Sequence, residues 1–581
     1  MAAYDHWVTL ASTAQTGIPG QAGTAAAPVV EVTPLDPGGG PATSARPARP
    51  LPGVPAIIRR RLAPLETRLD PWSWLATGVV VLIAGILRLV GLSEPKGKIF
   101  DEIYYATEAH ELLQRGIEWD EQTNSAAYVV HPPLGKWMIG LGEQIWGYNE
   151  LGWRFAAAIV GTLSVLLLVR IARRMFRSTV LGCTAGLLLA LDGYHLVLSR
   201  TALLDIFLSF FILAAFGALV LDRDARRGRW LRAIESGLDP SRPGRANRPA
   251  FRFADSIPWW RLLAGVLLGC AIGVKWSGLY FVPAFALLVI FWEVGARRSA
   301  GVRRPWRDTF LDESGWLVLA GVLMAGAYLA TWSGWFVSDN GYFRNWLAET
   351  GQSSPPILGD LMNLAHYHKE AFKFHAQLDD THVYQSWPWQ WLLLGRPVAF
   401  HWSDQGACGA ASCASEILLL GTPLLWWSFL PALAATLWLG FARRDWRAGA
   451  ILLIVAAGWL PWFYFALDNR TMFSFYLAPI VPFLVLAVTY VLGAIIGPAR
   501  APVAAGRASA GAAEGDQAAG PDPGADDNGR AGDRRMIGAI VAGTYVLLVA
   551  ICFAYFYPIF VGQVIPYAEW SARMWLGNRW I

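Results

Sequence analysis

The sequence predicts an all-α, polytopic integral membrane protein, and three observations carry that prediction. Of 581 residues, 55% are hydrophobic and only 16% are charged, whereas soluble domains carry about 25% charge. Apolar stretches recur at the length of a bilayer crossing, about 20 residues. Basic residues gather in six clusters that fall in alternate connections between those stretches: Arg59 to Arg61, Arg170 to Arg177, Arg223 to Arg252, Arg297 to Arg307, Arg443 to Arg447 and Arg500 to Arg535. Such alternation is the signature of positive loops retained in the cytoplasm. The net charge of +5 therefore has a topological origin, and no nucleic-acid partner is expected.

Residues 1–65 are rich in Ala, Pro, Gly and Thr without apolar periodicity, which predicts a disordered cytoplasmic tail. The first residues lack the basic-then-apolar layout of a signal peptide, so the first span is expected to act as its own insertion signal. A membrane domain is expected over 66–497. Spans are predicted near 72–91, 153–173, 179–197, 201–221, 260–276, 279–294, 315–335, 418–441, 448–467, 472–496 and 536–557. These eleven crossings put the N-terminus inside and the C-terminus outside. A disordered cytoplasmic linker is predicted at 498–535, then the last span and an outer C-terminal segment over 536–581.

Two stretches on the outer side are long. The first, 92–152, holds two amphipathic pieces, Asp101 to Gln114 and Leu134 to Trp146, around the break His131-Pro132-Pro133. Both are too short to span and are expected on the membrane surface. The second, 336–417, is rich in Trp, Tyr and His, as suits an interfacial segment. It also contains Cys408 and Cys413, and an oxidising outer compartment would permit a disulfide between them.

The acids Asp101 and Glu102 follow the first span directly. Ionisable groups at a membrane mouth are costly and generally functional. Neighbours on a helix point about 100° apart, so the pair reads as one working carboxylate and one support; the alternative is an acid pair complementing a helix dipole. Cations occupy the same side: Arg154, Arg200, Lys275 and Arg470 all stand at outer ends of spans, with Asp205 and Asp468 nearby. Singly each reads as a snorkelling anchor; together they suggest a phosphate site beside a general base. The phosphate would belong to a lipid-linked donor entering from the outer leaflet. Asp205 would hold one of the cations or form a helix-stabilising ion pair.

His131 reads as a structural cap or a site residue, and Lys136 as facing the membrane surface or the donor. His382, Tyr384 and Trp387 suit acceptor binding or interface structure. Arg396 suits a substrate contact or a loop-fixing ion pair. His366, His368, His375 and His382 lack metal-ligand spacing, so no metal site is expected.

Several segments resemble the protein O-mannosyltransferases, glycosyltransferase family 39, of the GT-C membrane fold. They are FDEIYYATEAHELL, VVHPPLGKWMIG, GWRFAAAIVGTLSVL, LSRTALLDIFLSFF, GVKWSGLYF, WPWQWLLLGRPVAF and DNRTMFSFYLAPIVPF, in that order from about Trp72 onward. The second outer stretch is too short for the MIR domains of eukaryotic members, so the resemblance is to bacterial ones. The Ala-, Arg-, Gly- and Trp-rich composition fits an actinobacterial source. The resemblance implies a polyprenyl-phosphate-mannose donor, Ser or Thr hydroxyls of exported proteins as acceptors, inversion at the sugar carbon and no cofactor. Asp101 would be the base and Glu102 its support. Arg154, Lys275, Arg200 and Lys136 would contact the donor phosphate, with His131, Asp205, His382, Tyr384, Trp387, Arg396 and Arg470 supporting or binding acceptor. The secretion translocon and membrane lipids are the further expected partners, and the plasma membrane the expected location. A GT-C transferase acting on lipid or cell-wall glycan is the alternative enzyme. A lipid-linked sugar flippase is the alternative from another class, and it would show inverted repeats and polar residues at the bilayer midplane.

Overall fold

A computed structural model describes residues 54–65, 70–241, 257–497 and 523–580, with backbone alone for 523–531. Helix α1 (Ala56–Leu62) leads to α2 (Pro71–Leu89), which starts on Asp70, whose carboxylate accepts from the Trp72 N–H. The first outer stretch folds into α3 (Glu102–Arg115), a two-stranded hairpin of β1 (Trp119–Asp120) and β2 (Ser125–Ala126), and α4 (Leu134–Trp146). Next come α5 (Glu150–Phe176), the pair α6 (Thr179–Ala190) and α7 (Gly193–Ser199), and α8 (Leu204–Glu235). Helix α9 (Trp259–Val274) is followed by a 3-10 turn, Trp276–Tyr280, that runs into α10 (Phe281–Ala300), and then by α11 (Pro305–Thr331). The second outer stretch carries α12 (Leu358–Ala376), β3 (Val398–Ser403) and β4 (Cys413–Leu419). Four more spans complete the bundle. They are α13 (Phe429–Arg443), α14 (Trp446–Trp459), α15 (Val481–Ile496) after the 3-10 turn Ser474–Ile480, and α16 (Pro523–Val561) before β5 (Ile565–Pro566).

Each predicted span has a helical counterpart. Among the described residues nine helices are long and apolar enough to cross a bilayer. The other two expected crossings are irregular. The α6–α7 pair bends by 65°, because Asp192 caps α7: its carboxylate accepts from the His195 N–H at 3.1 Å, the Thr422 N–H and the Trp426 indole. Helix α9 has 16 residues, or about 24 Å of rise, shorter than a full crossing, and the following 3-10 turn is continuous with α10. The centre of the core is α8 and α15, buried over most of their length, while α11 faces outward almost entirely.

Three expectations need correction. The tail is not irregular throughout, because α1 docks Leu62 against Trp230, Ala296 and Ala300. The linker is shorter than predicted, since α16 is already helical from Pro523; the rest of both segments lies outside the described residues. Short strands also interrupt the all-helical pattern. β3 and β4 pair antiparallel with a bulge at Ala399 and His401, and a Cys408–Cys413 disulfide closes their connection. β5 adds to β4 through Ile565 opposite Ala414. The C-terminal segment is tied down further along: the Trp580 indole donates to the Leu394 carbonyl at 2.7 Å, and Arg396 donates to the carbonyls of Val383, Asn578 and Arg579.

A buried ion network joins four spans at the end of the bundle far from α3. Arg261 of α9 donates to Asp222 of α8, Glu293 of α10 and Glu313 of α11. Arg297 and Arg226 close the network on the same glutamates. Removing one partner of a buried ion pair costs about 3–5 kcal/mol, because the charges left behind stay buried. Arg261→Ala, which leaves Asp222 without its arginine and takes one of three cations from Glu293 and Glu313, is expected to lower the apparent Tm in detergent. An unchanged Tm would remove the network from the stability of the bundle.

Candidate active site

The site is built around Glu102 and Arg154, both fully buried. Glu102 is the first residue of α3, and its carboxylate accepts from Arg154 Nε and Nη2, each at 2.8 Å. It also accepts from the Ile99 and Ala202 N–H groups, each at 3.0 Å. Arg154, near the start of α5, spends its remaining donors on the carbonyls of Leu92, Pro95 and Gly97. All five of its N–H groups are therefore used inside the protein. The chain between α2 and α3 is moulded around this one guanidinium.

Phe100, the residue before Asp101, has φ +45°, a left-handed conformation that non-glycine residues adopt only when the surroundings enforce it. Its ring stacks on Phe400 at 4.5 Å and meets Phe475 edge-on at 6.0 Å. Asp101, half-buried, has no hydrogen-bond or ion-pair partner for its carboxylate among the described residues. Burial pushes its pKa up to about 6; Lys275 pulls it back, while Asp205 and Glu108 push it further up. A carboxylate so tuned is ionised near neutrality yet basic enough to accept a proton.

Lys275 stands between α9 and the following 3-10 turn, and its ammonium lies 2.9 Å from each carboxylate oxygen of Asp205 at the start of α8. Two of its three N–H groups are thus engaged. The ammonium lies 5.3 Å from the Tyr476 ring centre, and the Arg470 guanidinium lies 5.8 Å from the same ring. Arg470 donates through Nε to the His375 carbonyl and through Nη1 to the Thr471 carbonyl, which leaves Nη2 uncommitted among the described residues. His131 sits 5.2 Å, ring to ring, from His375 and 6.1 Å from Tyr105. Burial, and then the positive charge of Lys275, hold His131 well below the ordinary histidine range, so it is neutral.

The structure thus gathers Asp101, Lys275, Asp205, His131 and Arg470 and gives the other predicted cations different work. Arg154 has no N–H left for a phosphate. Arg200 caps α2, donating to the carbonyls of Leu87, Arg88, Val90 and Gly91. Lys136 is fully buried and paired with Glu108 and Glu118. Arg396 is the loop-fixing residue of its two readings. His382 accepts from the Tyr384 N–H and packs its ring 5.1 Å from Phe473, at the rim of the site. Trp387 stacks on Trp389 at 5.6 Å, further out.

Sequence reasoning missed a neighbouring aromatic cluster. The Trp276 indole donates to the Tyr328 hydroxyl, which donates to His368 Nε2, while His368 Nδ1 donates to the Leu364 carbonyl. His375, one further along α12, donates to the Val130 carbonyl. The spacing of His368 and His375, two helical turns apart, was the available signal; the structure uses both to seat α12 over the site. Among the described residues no group of three His, Cys, Asp or Glu has the geometry to hold a metal ion.

Comparison with known proteins identifies the family. Residues 361–580 match the C-terminal four-transmembrane region of protein O-mannosyltransferase, and residues 130–236 match the dolichyl-phosphate-mannose-protein mannosyltransferase family. A polyprenol-phosphate-mannose–protein mannosyltransferase of Mycobacterium tuberculosis is 39% identical over 519 residues, covering 87% of this chain and 91% of the relative. One of the same description from Corynebacterium glutamicum is 33% identical, covering 88% and 93%. The structure of the S. cerevisiae protein O-mannosyltransferase Pmt1–Pmt2 complex bound to the sugar donor superimposes with a TM-score of 0.61 at 15% identity, covering 93% of this chain and 96% of that one, so the GT-C architecture is shared. At this identity and coverage, the chain belongs to the polyprenol-phosphate-mannose–protein mannosyltransferase family.

Proposed function

We propose that the protein transfers mannose from polyprenyl-phosphate-mannose to Ser or Thr hydroxyls of exported proteins, with inversion at the sugar carbon. The observation that carries the mechanism is an unpartnered, half-buried Asp101 beside a lysine with one N–H to spare. The acceptor hydroxyl oxygen attacks the anomeric carbon and its proton passes to Asp101. The bond from that carbon to the phosphate oxygen breaks on the opposite face, releasing polyprenyl phosphate. General-base assistance of this kind is worth about 10²–10⁴ in rate. Lys275 and Arg470 neutralise the departing phosphate, each charge-assisted contact being worth about 1.5–3 kcal/mol. Asp205 positions Lys275, and Glu102 with Arg154 positions Asp101. The leaving group is a polyprenyl phosphate monoester, stable as an anion and met by protein cations, so no strong general acid and no divalent metal is needed.

The distribution of arginines supports a topology with the basic helix ends in the cytoplasm and the site on the outer face of the plasma membrane. An acceptor emerging from the secretion translocon would meet the site there. Purified protein incubated with radiolabelled mannosyl-phosphoryl-polyprenol and a Thr-rich peptide should yield alkali-labile mannose on the peptide. Label appearing only in lipid or glycan products would favour the other GT-C activity.

The two adjacent acids should separate cleanly. Asp101→Asn should lose at least 100-fold in turnover with little change in Tm. Glu102→Gln should lower Tm as well, since Arg154 stays buried without its counter-charge. A Glu102→Gln protein as stable as wild type would put Glu102 in the chemistry instead of the scaffold.

The rate should depend on pH through Asp101. Its pKa is raised to about 6, so the base is ionised above that pH and protonated below it. The kcat should be constant toward neutral and alkaline pH and fall about tenfold per unit below 6. A profile flat down to pH 5 would exclude Asp101 as the base.

Initial rates in excess EDTA should equal those with added Mg²⁺, Mn²⁺ or Ca²⁺. Restoration by one metal after chelation would turn Asp101 into a metal ligand.

A further inference from the structure

The end of the bundle far from Asp101 holds a second polar concavity with no part in mannosyl transfer. Helix α5 starts beside the active site and ends 27 residues later, about 40 Å away along its axis. There, between the ends of α5, α13, α15 and α16, lies a cavity of about 1090 Å³. Its charged lining is all arginine: Arg177, Arg443, Arg447, Arg534 and Arg535, with no acidic residue among the described lining. Arg447 is paired with Asp445. The other four have no carboxylate partner among the described residues, and all four are exposed.

Two further features belong to the same cavity. The N-terminus of the twelve-residue α6 opens into it through Ser178, Val180 and Leu181, and a helix N-terminus carries partial positive charge and unpaired N–H donors. Apart from Tyr490, whose hydroxyl donates to Asp445, the rest of the lining is apolar: Val180, Leu181, Ala494, Ile496 and Ala539 run along the bundle behind the arginines. Cations at the rim with an apolar wall behind match an amphiphile, its anionic head at the surface and its chains along the helices. The arginines come from three separate places on the chain, around a volume well beyond a single phosphate. Basic pockets between transmembrane helices on the cytoplasmic side are the setting in which multiply charged lipid headgroups bind.

We propose that this cavity is a binding site for an anionic phospholipid carrying two phosphates, a diphosphatidylglycerol, on the membrane face opposite the catalytic cluster. The four unpaired guanidiniums engage the phosphates, and the acyl chains cover Val180, Leu181 and Ile496. Bound there, the lipid cross-links α5 and α6 to α13 and α16 at the end of the bundle where these helices leave a gap.

Native mass spectrometry of the full chain, released from detergent after incubation with tetraoleoyl cardiolipin, dioleoyl phosphatidylcholine, undecaprenyl phosphate or inorganic phosphate, tests the proposal. Cardiolipin should be retained at least tenfold more strongly than phosphatidylcholine. The triple variant Arg443→Ala, Arg534→Ala, Arg535→Ala should lose that preference at least tenfold, while the corresponding triple Lys variant keeps most of it. These arginines are exposed and without a carboxylate partner among the described residues, so a normal Tm in the Ala variant certifies its fold. Equal retention by wild type and the Ala variant overturns the site. Undecaprenyl phosphate or inorganic phosphate binding as tightly as cardiolipin overturns the assignment to a two-phosphate lipid. A chain lacking residues 503–521 that gains tenfold in cardiolipin retention shows the protein's own linker to be the occupant, and also overturns it.

Discussion

Everything near Asp101, the proposed base, depends on one buried guanidinium. Arg154 gives its five N–H groups to one carboxylate and three main-chain carbonyls, so the outer loop has a single low-energy path around it. A buried charge of this kind is expensive unless every donor is met, and here every donor is met. The consequence falls on the next residue along. Because Glu102 is immobilised by four hydrogen bonds, Asp101 is carried at a fixed place while its own side chain stays unengaged. One acid of the pair is satisfied so that the other can remain reactive.

The same constraint recurs where the chain turns at the end of the bundle that carries the site. A helix ending at the bilayer leaves carbonyls without partners, and in lipid no water meets them. Arg200 answers this for α2 by donating to four carbonyls at its C-terminal end. Asp192 answers the complementary need at the start of α7. These polar residues sit at membrane depth for the sake of the backbone. The residues left over for chemistry are those, like Lys275 and Arg470, whose donors exceed the demands of the fold.

That distinction explains what the sequence could convey. Periodicity and hydropathy placed a helix at each of the eleven expected spans, nine of them long and apolar enough to cross a bilayer among the described residues, and the alternation of arginines distinguished one set of connections from the other. The position of Asp101 and Glu102 after the first span marked the site, and both amphipathic helices of the first outer stretch formed where their apolar stripes indicated. Spacing did not reveal which cations were free. Arg154, Arg200 and Lys136 look like Lys275 and Arg470 in one dimension, because their consumption depends on carbonyls and carboxylates brought up by other segments. The strands were missed for a related reason: β3, β4 and β5 are short, and β5 finds its partner only through pairing across the last span.

That pairing carries a temporal consequence. The wall that holds Phe400 against Phe100 belongs to a hairpin completed by Ile565 and Pro566, and Trp580 and Arg396 fasten the same region. Chains are made from the N-terminus onward, so this hairpin waits, unfinished, until the final transmembrane helix has been threaded. A ribosome that stalls late, or a product clipped after α16, would leave a bundle with its spans inserted and its catalytic mouth unbraced. Insertion of α16 and competence of the enzyme are thereby linked in one strand addition.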